Sequence, residues 1–281
     1  MDQFSTIVVA CGTGFADALS GSYLAAKKNA PILLVNKHQK IFASVVTYIQ
    51  ENLTENGIVY ILGGEAAVTA EFEAALEGCN VVRLAGANRY ETSLLILEEA
   101  GVSADQEVLV CTGKGFADSL SASASGLPVL LVKGTGSLTA AQQAFADSLG
   151  GNGKFVVIGG ESAVAKSVED ALAAYGTVSR VGGSNRYDTS KLIAQRFFPE
   201  AKQAVLAYAS NYPDGLCGGP LAYILKAPLI LTKTGKEASA AEYTTGCGIT
   251  KGYVLGGTNL IADESVRMIF NMRSIQQILV R

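Results

Sequence analysis

The residues of this chain whose types and spacing suit chemistry occur in sets. Asp17, Asp118 and Asp214 each stand two residues after an aromatic, in Phe15-Ala16-Asp17-Ala18-Leu19, Phe116-Ala117-Asp118-Ser119-Leu120 and Tyr212-Pro213-Asp214-Gly215-Leu216. A carboxylate near a helix start favours the helix dipole and caps loose N–H groups; the alternative is a hydrogen-bonding wall of a ligand groove. The pairs Gly63-Gly64, Gly159-Gly160 and Gly256-Gly257 each end an apolar run. A tight turn is their conformational role, and the same geometry aims backbone N–H groups at an anion such as phosphate or a sugar acid. Arg83 and Arg89 recur as Arg180 and Arg186. Arg89 and Arg186 either pair locally, with Glu91 and Asp188 or with Asp17 and Asp118, or grip an acidic polymer by bidentate contacts. Lys37, Lys133 and Lys233 follow three proline-led apolar runs, at the strand ends where parallel sheets usually take ligands, and each is either a ligand contact or a solvated surface lysine.

Other chemistries find little support. Gly12-Thr13-Gly14 and Gly113-Lys114-Gly115 follow apolar runs as a dinucleotide fingerprint does, but Asp17 and Asp118 replace its third glycine, where a carboxylate repels a pyrophosphate. His38 is the only histidine and sits in a polar stretch, Asn36 to Lys40, that reads as a solvated loop. The five cysteines (Cys11, Cys79, Cys111, Cys217, Cys247) include no Cys-x-x-Cys pair, so they read as small buried hydrophobes with no zinc site or disulfide framework. Metal-dependent phosphotransfer needs clustered carboxylates, and the chain has no Asp-x-Asp, while Glu65 and Glu161 give way to Thr258. No cofactor or metal is expected.

The elements that must position these residues repeat too. Pro31 to Val35 recurs as Pro128 to Val132 and Pro228 to Thr232, and the glycine pairs are spaced by 96 and 97 residues. That period is too long for a solenoid and suits a small domain repeated three times. In the first unit the runs Thr6–Ala10, Ile32–Val35, Ile58–Leu62 and Val81–Leu84 read as strands. Helices are expected over Phe15 to Lys27, through Ile41, Val45, Tyr48 and Ile49 up to a stop at Gly57, and around Phe72. Strands so uniformly apolar, alternating with helices, predict an α/β fold with mostly parallel sheets covered on both faces. Asn88 and Asn185, each followed three residues on by an acid, read as helix N-caps before an apolar helix from Leu94. Ile275 to Val280 reads as the fourth strand of the third unit. The helices after the aspartates are poor in bulk (Ala16, Ala18, Gly21; Ala122 to Gly126; Cys217-Gly218-Gly219), which predicts close packing within a module or where the modules meet.

With 281 residues, 49% of them apolar and only 17% charged, the chain buries large cores and is not disordered. A net charge of −3 argues against a nucleic-acid partner held by global basicity. No apolar run approaches the ~18–20 residues that span a bilayer, and Met1 to Ser5 lacks the basic start of a signal peptide.

Taken together, Phe/Tyr-x-Asp-x-Leu, the proline-led strand, the Gly-Gly pair and Arg-x-x-Gly-x-Asn-Arg-Tyr-Glu/Asp-Thr (Arg83 to Thr92, Arg180 to Thr189) resemble the cell-wall-binding repeat 2 family of Gram-positive, especially clostridial, surface proteins. The resemblance covers essentially the whole chain. It implies three tandem Toprim-like or Rossmann-like modules packed as an intramolecular pseudo-threefold trimer, here over residues 1–80, 81–177 and 178–281. It also implies a non-catalytic anchor at the cell surface, binding an anionic secondary cell-wall glycopolymer through grooves lined by the repeated Arg, Lys, Asp and Gly-Gly positions, with cargo carried by a separate domain. The first module departs from the family in lacking the opening Asn-Arg-Tyr segment, and the negative net charge requires local basic clusters. An enzyme of the Toprim or nucleotide-dependent hydrolase class and a self-assembling lattice protein are the rival readings.

Overall fold

A computed structural model describes residues 3–36 and 39–272. The first module runs β1 (Phe4–Cys11), α1 (Ala16–Lys27), β2 (Ile32–Val35), α2 (Gln39–Asn52), β3 (Leu53–Leu62), α3 (Ala70–Ala74) and β4 (Asn80–Leu84). A linking helix α4 (Arg89–Ala100) leads to β5 (Glu107–Thr112), α5 (Ala117–Ala122), β6 (Val129–Val132), α6 (Ala140–Ser148), β7 (Gly153–Ile158), α7 (Lys166–Leu172) and β8 (Gly176–Val181). A second linking helix α8 (Arg186–Phe197) precedes β9 (Ala204–Tyr208), α9 (Gly218–Ile224), β10 (Leu229–Thr232), α10 (Ala238–Gly246), β11 (Gly252–Leu255) and α11 (Asp263–Ile269).

Among the described residues the strands form three separate sheets, ordered β2-β1-β3-β4, β6-β5-β7-β8 and β10-β9-β11. Every strand pair is parallel, as expected for apolar runs joined by helices. The run expected at Ile275–Val280 lies outside the described residues. By hydrogen bonding, β4 and β8 close the first and second sheets, so sequence boundaries after residues 80 and 177 fall within the last strand of each sheet.

Strand periodicity divides the core. Val8 and Ala10 face a cluster shared by all three modules, which also takes Val108 and Val110 from β5 and Val205 and Ala207 from β9. Ile7, Val9, Val59 and Ile61 point the other way, into a cluster beneath α2 and α3, and Ala204, Leu206 and Ile230 do the same beneath α10 and α11. In α2 the packed face is Phe42, Val45, Val46 and Ile49. Ile41 and Tyr48, expected on that face, are 41% and 39% exposed, because the helix is rotated to bring Phe42 edge-on to Phe72 with ring centroids 5.2 Å apart. Gly57 does not end α2. The chain passes from Asn52 directly into β3, where Leu53 already pairs with Phe4, and Gly57 sits by the irregularity that resets the register to Thr6↔Ile58.

The small-residue helices meet where the modules meet. Phe15, Phe116 and Tyr212 form a closed edge-to-face triad with centroids 6.2, 5.6 and 5.5 Å apart. Two turns on, Ser22, Ser123 and Gly219 occupy equivalent positions: a Cβ added at Gly219 would lie 2.5 Å from Ser123 Oγ and 3.0 Å from Ser22 Oγ. Only the smallest residues let three backbones converge so closely, and these contacts give the pseudo-threefold arrangement its axis. Each linking helix reaches forward, α4 packing against edge strand β6 and α8 against edge strand β10. Ser93 Oγ in α4 accepts from the Leu131 N–H at 3.3 Å, and Ser190 Oγ in α8 accepts from the Leu231 N–H at 2.8 Å.

Candidate functional site

The repeated residues gather at the carboxyl ends of the strands, where α1, α5 and the linking helices begin. In the first two modules the aspartate and glycine sets form one unit. Gly63 and Gly159 have φ of +93° and +98°, and a Cβ on them would lie 2.5 Å from Asp17 Oδ2 and 2.4 Å from Asp118 Oδ2. The carboxylate therefore rests on the first glycine of the pair, which excludes any side chain there on both conformational and steric grounds. Gly256 and Asp214 keep a looser version, at 3.1 Å with φ of +119°. The second glycine of each pair accepts two turn hydrogen bonds through its carbonyl, from Ala67 and Val68 at Gly64, from Ala163 and Val164 at Gly160, and from Leu260 and Ile261 at Gly257.

The aspartates do not cap their helices by side-chain hydrogen bonds. Phe15 and Phe116 are the N-cap residues of α1 and α5, and neither cap has such a bond. Burial raises the Asp17 carboxyl above its ordinary range, opposed by Arg89, and pushes Asp118 up to about 6, opposed by Arg186. Both are half-buried acids facing a guanidinium, while Asp214 is exposed.

The arginines separate into two kinds. Arg83 on β4 donates through Nε to Glu73 Oε2 at 2.8 Å and through Nη1 to the Gly63 carbonyl at 2.8 Å. Arg180 on β8 repeats this with Glu169 at 3.0 Å and the Gly159 carbonyl at 2.8 Å, adding the Val164 carbonyl at 2.9 Å. These two are engaged inside their modules, pinning the edge strand to the neighbouring short helix. Arg89 and Arg186 stand exposed at the first position of α4 and α8 and bridge modules. Arg89 lies over the Phe15 ring at 5.3 Å and donates to the Gly113 carbonyl at 2.6 Å. Arg186 lies over Phe116 at 5.4 Å and donates to the Ala209 carbonyl at 2.6 Å. Neither forms a salt bridge with the acid two residues on. Glu91 instead accepts from Ala87 N and Asn88 Nδ2, and Asp188 from Ser184, Asn185 and Ser239.

The helix that begins with each bridging arginine starts earlier than Leu94, at Arg89. Asn88 Oδ1 caps it, accepting from Tyr90 N at 3.0 Å and Glu91 N at 3.2 Å, and Asn185 does the same for Tyr187 and Asp188 at 2.9 and 3.1 Å. The Thr92 and Thr189 hydroxyls accept from Gly86 N and Gly183 N, tying the approach loop to the first turn. The motif is thus a device for holding an arginine in a fixed place. At the junction of the third module with the first, the Tyr212 hydroxyl donates to the Thr13 carbonyl at 2.9 Å.

The lysines are less regular than their sequence positions suggest. Strand register makes Asn36, Lys133 and Lys233 equivalent, each following the last residue of its edge strand. Lys37 is one residue further on and, with His38, lies outside the described residues. Around the second module these features enclose an open cleft of about 560 Å³, lined by Asp118, Lys133, Gly160 and Arg186 together with Lys114 and Asn185. Lys114 and Asn185 extend the expected set. Lys114 was visible in the sequence as the middle residue of Gly113-Lys114-Gly115, and Asn185 as a cap whose second role needs the cleft to be seen. Of the cysteines only Cys111 is fully buried; the others reach the surface because they sit at the ends of elements, Cys11 closing β1, Cys79 preceding β4, Cys217 starting α9 and Cys247 ending α10. Among the described residues no three His, Cys, Asp or Glu side chains converge as a metal-binding set. No described helix is long and apolar enough to cross a membrane.

Comparison with known proteins places this geometry. Residues 1–73, 83–169 and 180–266 each match the model of cell wall binding domain 2 (CWB2). The chain is 28% identical over 274 residues to the N-acetylmuramoyl-L-alanine amidase LytC of Bacillus subtilis (strain 168), covering 95% of this chain and 53% of that protein. It is also 28% identical over 269 residues to the amidase enhancer of the same organism, covering 92% of this chain and 36% of that protein. Among solved structures, Cwp8 from Clostridium difficile superposes with a TM-score of 0.79 at 27% identity, over 97% of this chain and 48% of that one. Cwp6 from the same organism gives 0.79 at 24% identity, over 95% and 44%. The chain spans about half the length, or less, of each of these relatives. Three matched segments, three sheets and three copies of the Asp-on-Gly unit describe one module used three times: the chain belongs to the cell wall binding domain 2 family and binds the cell wall.

Proposed function

We propose that the chain holds an anionic secondary cell-wall polysaccharide without cleaving it, anchoring a larger surface protein whose cargo or effector domain lies elsewhere. The observation that carries this reading is the cleft at the strand ends of the second module, which Lys114, Lys133 and Arg186 line together with a half-buried Asp118. Cations recognise the polymer's acidic groups, while backbone N–H groups near Gly160 and the Asp118 carboxyl suit its hydroxyls. The corresponding positions in the first and third modules, Asp17, Gly63-Gly64 and Arg89, and Asp214, Gly256-Gly257 and Lys233, form related surfaces. A repetitive polymer touching more than one gains avidity without a tight single site. The net charge of −3 means that these local clusters, and not the mean field, must attract the polymer. Arg83 and Arg180 act indirectly, by holding the glycine turns.

The test is retention of the purified chain on Gram-positive walls before and after chemical removal of the phosphate-containing secondary polymer. Retention lost with the polymer is the expected outcome. Undiminished retention on stripped walls, or release of sugar or phosphate from intact ones, is the outcome that defeats the proposal.

A further inference from the structure

The three strand-end surfaces are not chemically equal, although the fold makes them geometrically equivalent. Resting on the wall-polymer reading above, we infer that the second module's cleft is the principal anion site and that Lys114 and Lys133 set its strength. The equivalent of Lys114 is Thr13 in the first module and Ser210 in the third, each two residues past the end of the central strand. The equivalent of Lys133 is Asn36 in the first module and Lys233 in the third. Only the second position in the repeat therefore carries a lysine at both places, and both line the same cleft as Arg186.

Lys114 and Lys133 are exposed, and the ion pairs among the described residues (Arg83–Glu73, Lys166–Asp170, Arg180–Glu169, Lys191–Glu242 and Arg196–Glu107) use neither of them. Glu161, which stands between the lining residues Gly160 and Ser162, acts electrostatically on Lys166. Among the described residues Asp118 is the one carboxylate lining the cleft, and it is half-buried against Gly159. The ligand chemistry is a pair of neighbouring anionic oxygens, phosphate or sugar carboxylate, held by two mobile ammonium groups against a fixed guanidinium.

The experiment compares the wild-type chain with Lys114→Gln, Lys133→Gln, their double variant, Lys233→Gln and Lys251→Gln, the last a surface lysine remote from the clefts. Affinities for linear polyphosphate and for polygalacturonate, and retention on purified walls, are measured between about 50 and 200 mM salt, with melting temperatures checking that each variant is folded. Expected are losses of about fivefold for Lys114→Gln and Lys133→Gln, a larger loss and shallower salt dependence in the double variant, less than about twofold for Lys233→Gln, and no change for Lys251→Gln. The stronger of the two probes tells phosphate from carboxylate. Equal losses at Lys133 and Lys233, or a double variant that binds like wild type, overturn the inference. Should walls fail to retain the wild type while a polyanion is bound in this order, the wall-polymer reading falls and the ranking stands. Should walls retain every variant equally, the ranking falls alone.

Discussion

At the scale of single residues, the pairing of Asp118 with Gly159 is the most constrained feature of the site. The carboxyl is pushed up from the ordinary 3.8 to about 6 because burial disfavours its charge more than Arg186 favours it. The folded chain therefore holds a proton on Asp118 between about pH 4 and 6 that the unfolded chain has released, so stability falls as pH rises through that window. Asp118→Asn should be more stable than wild type at pH 7.5 by about 1–2 kcal/mol, after allowing for partial exposure, with the difference vanishing near pH 4. Melting curves of both proteins across this range decide it, and a difference that does not change with pH rules the account out. The aspartates and glycine pairs were legible in the sequence as separate repeats. Their union was not, because Asp17 and Gly63 are brought together only when α1 and the end of β3 pack side by side, a contact that no spacing rule encodes.

At the scale of elements, the linking helices α4 and α8 do more than join modules. Their caps were readable from Asn88 and Asn185 because an N-cap and its acceptor pattern lie within one turn. Their forward docking was not readable, since Ser93 and Ser190 look like ordinary helix serines until the edge strands 38 and 41 residues later arrive to donate to them. Ser190→Ala leaves the buried Leu231 N–H without a partner, at a cost of about 1–3 kcal/mol. It should raise hydrogen exchange along β10 more than in the rest of the third sheet. Unchanged exchange at Leu231 in that variant contradicts the role given to the serine. The misreading of α2 has a similar origin: two overlapping apolar stripes fit the helical period, and only the position of Phe72 selects the one through Phe42.

At the scale of the whole molecule, the three modules are joined where Phe15, Phe116 and Tyr212 meet and where Ser22, Ser123 and Gly219 converge. Each edge-to-face aromatic pair adds on the order of 0.5–1.5 kcal/mol beyond burial, and the triad makes three such pairs. Gly219→Val places a branched side chain against two neighbouring helices at once and should cost roughly 2–4 kcal/mol. It should also lower polymer binding at all modules together, because the bridging arginines take their places from the same packing. Measured by thermal unfolding and small-angle scattering, an unaltered melting point and radius would show that the axis is not tight. The threefold repeat itself was plain in the sequence, since three copies of one pattern leave few other arrangements; the small residues announced close approach without saying which helices approached.

The forward reach of α4 and α8 sets a direction in time. A polypeptide emerging N-terminus first displays α4 before β6, the surface it covers, has been delivered, and α8 before β10. Each linking helix therefore waits for the strand that covers it, and an interruption midway leaves the buried face of α4 (Ile96, Leu97) or of α8 (Ile193, Ala194) without a seat, the kind of unfinished surface that chaperones and proteases recognise.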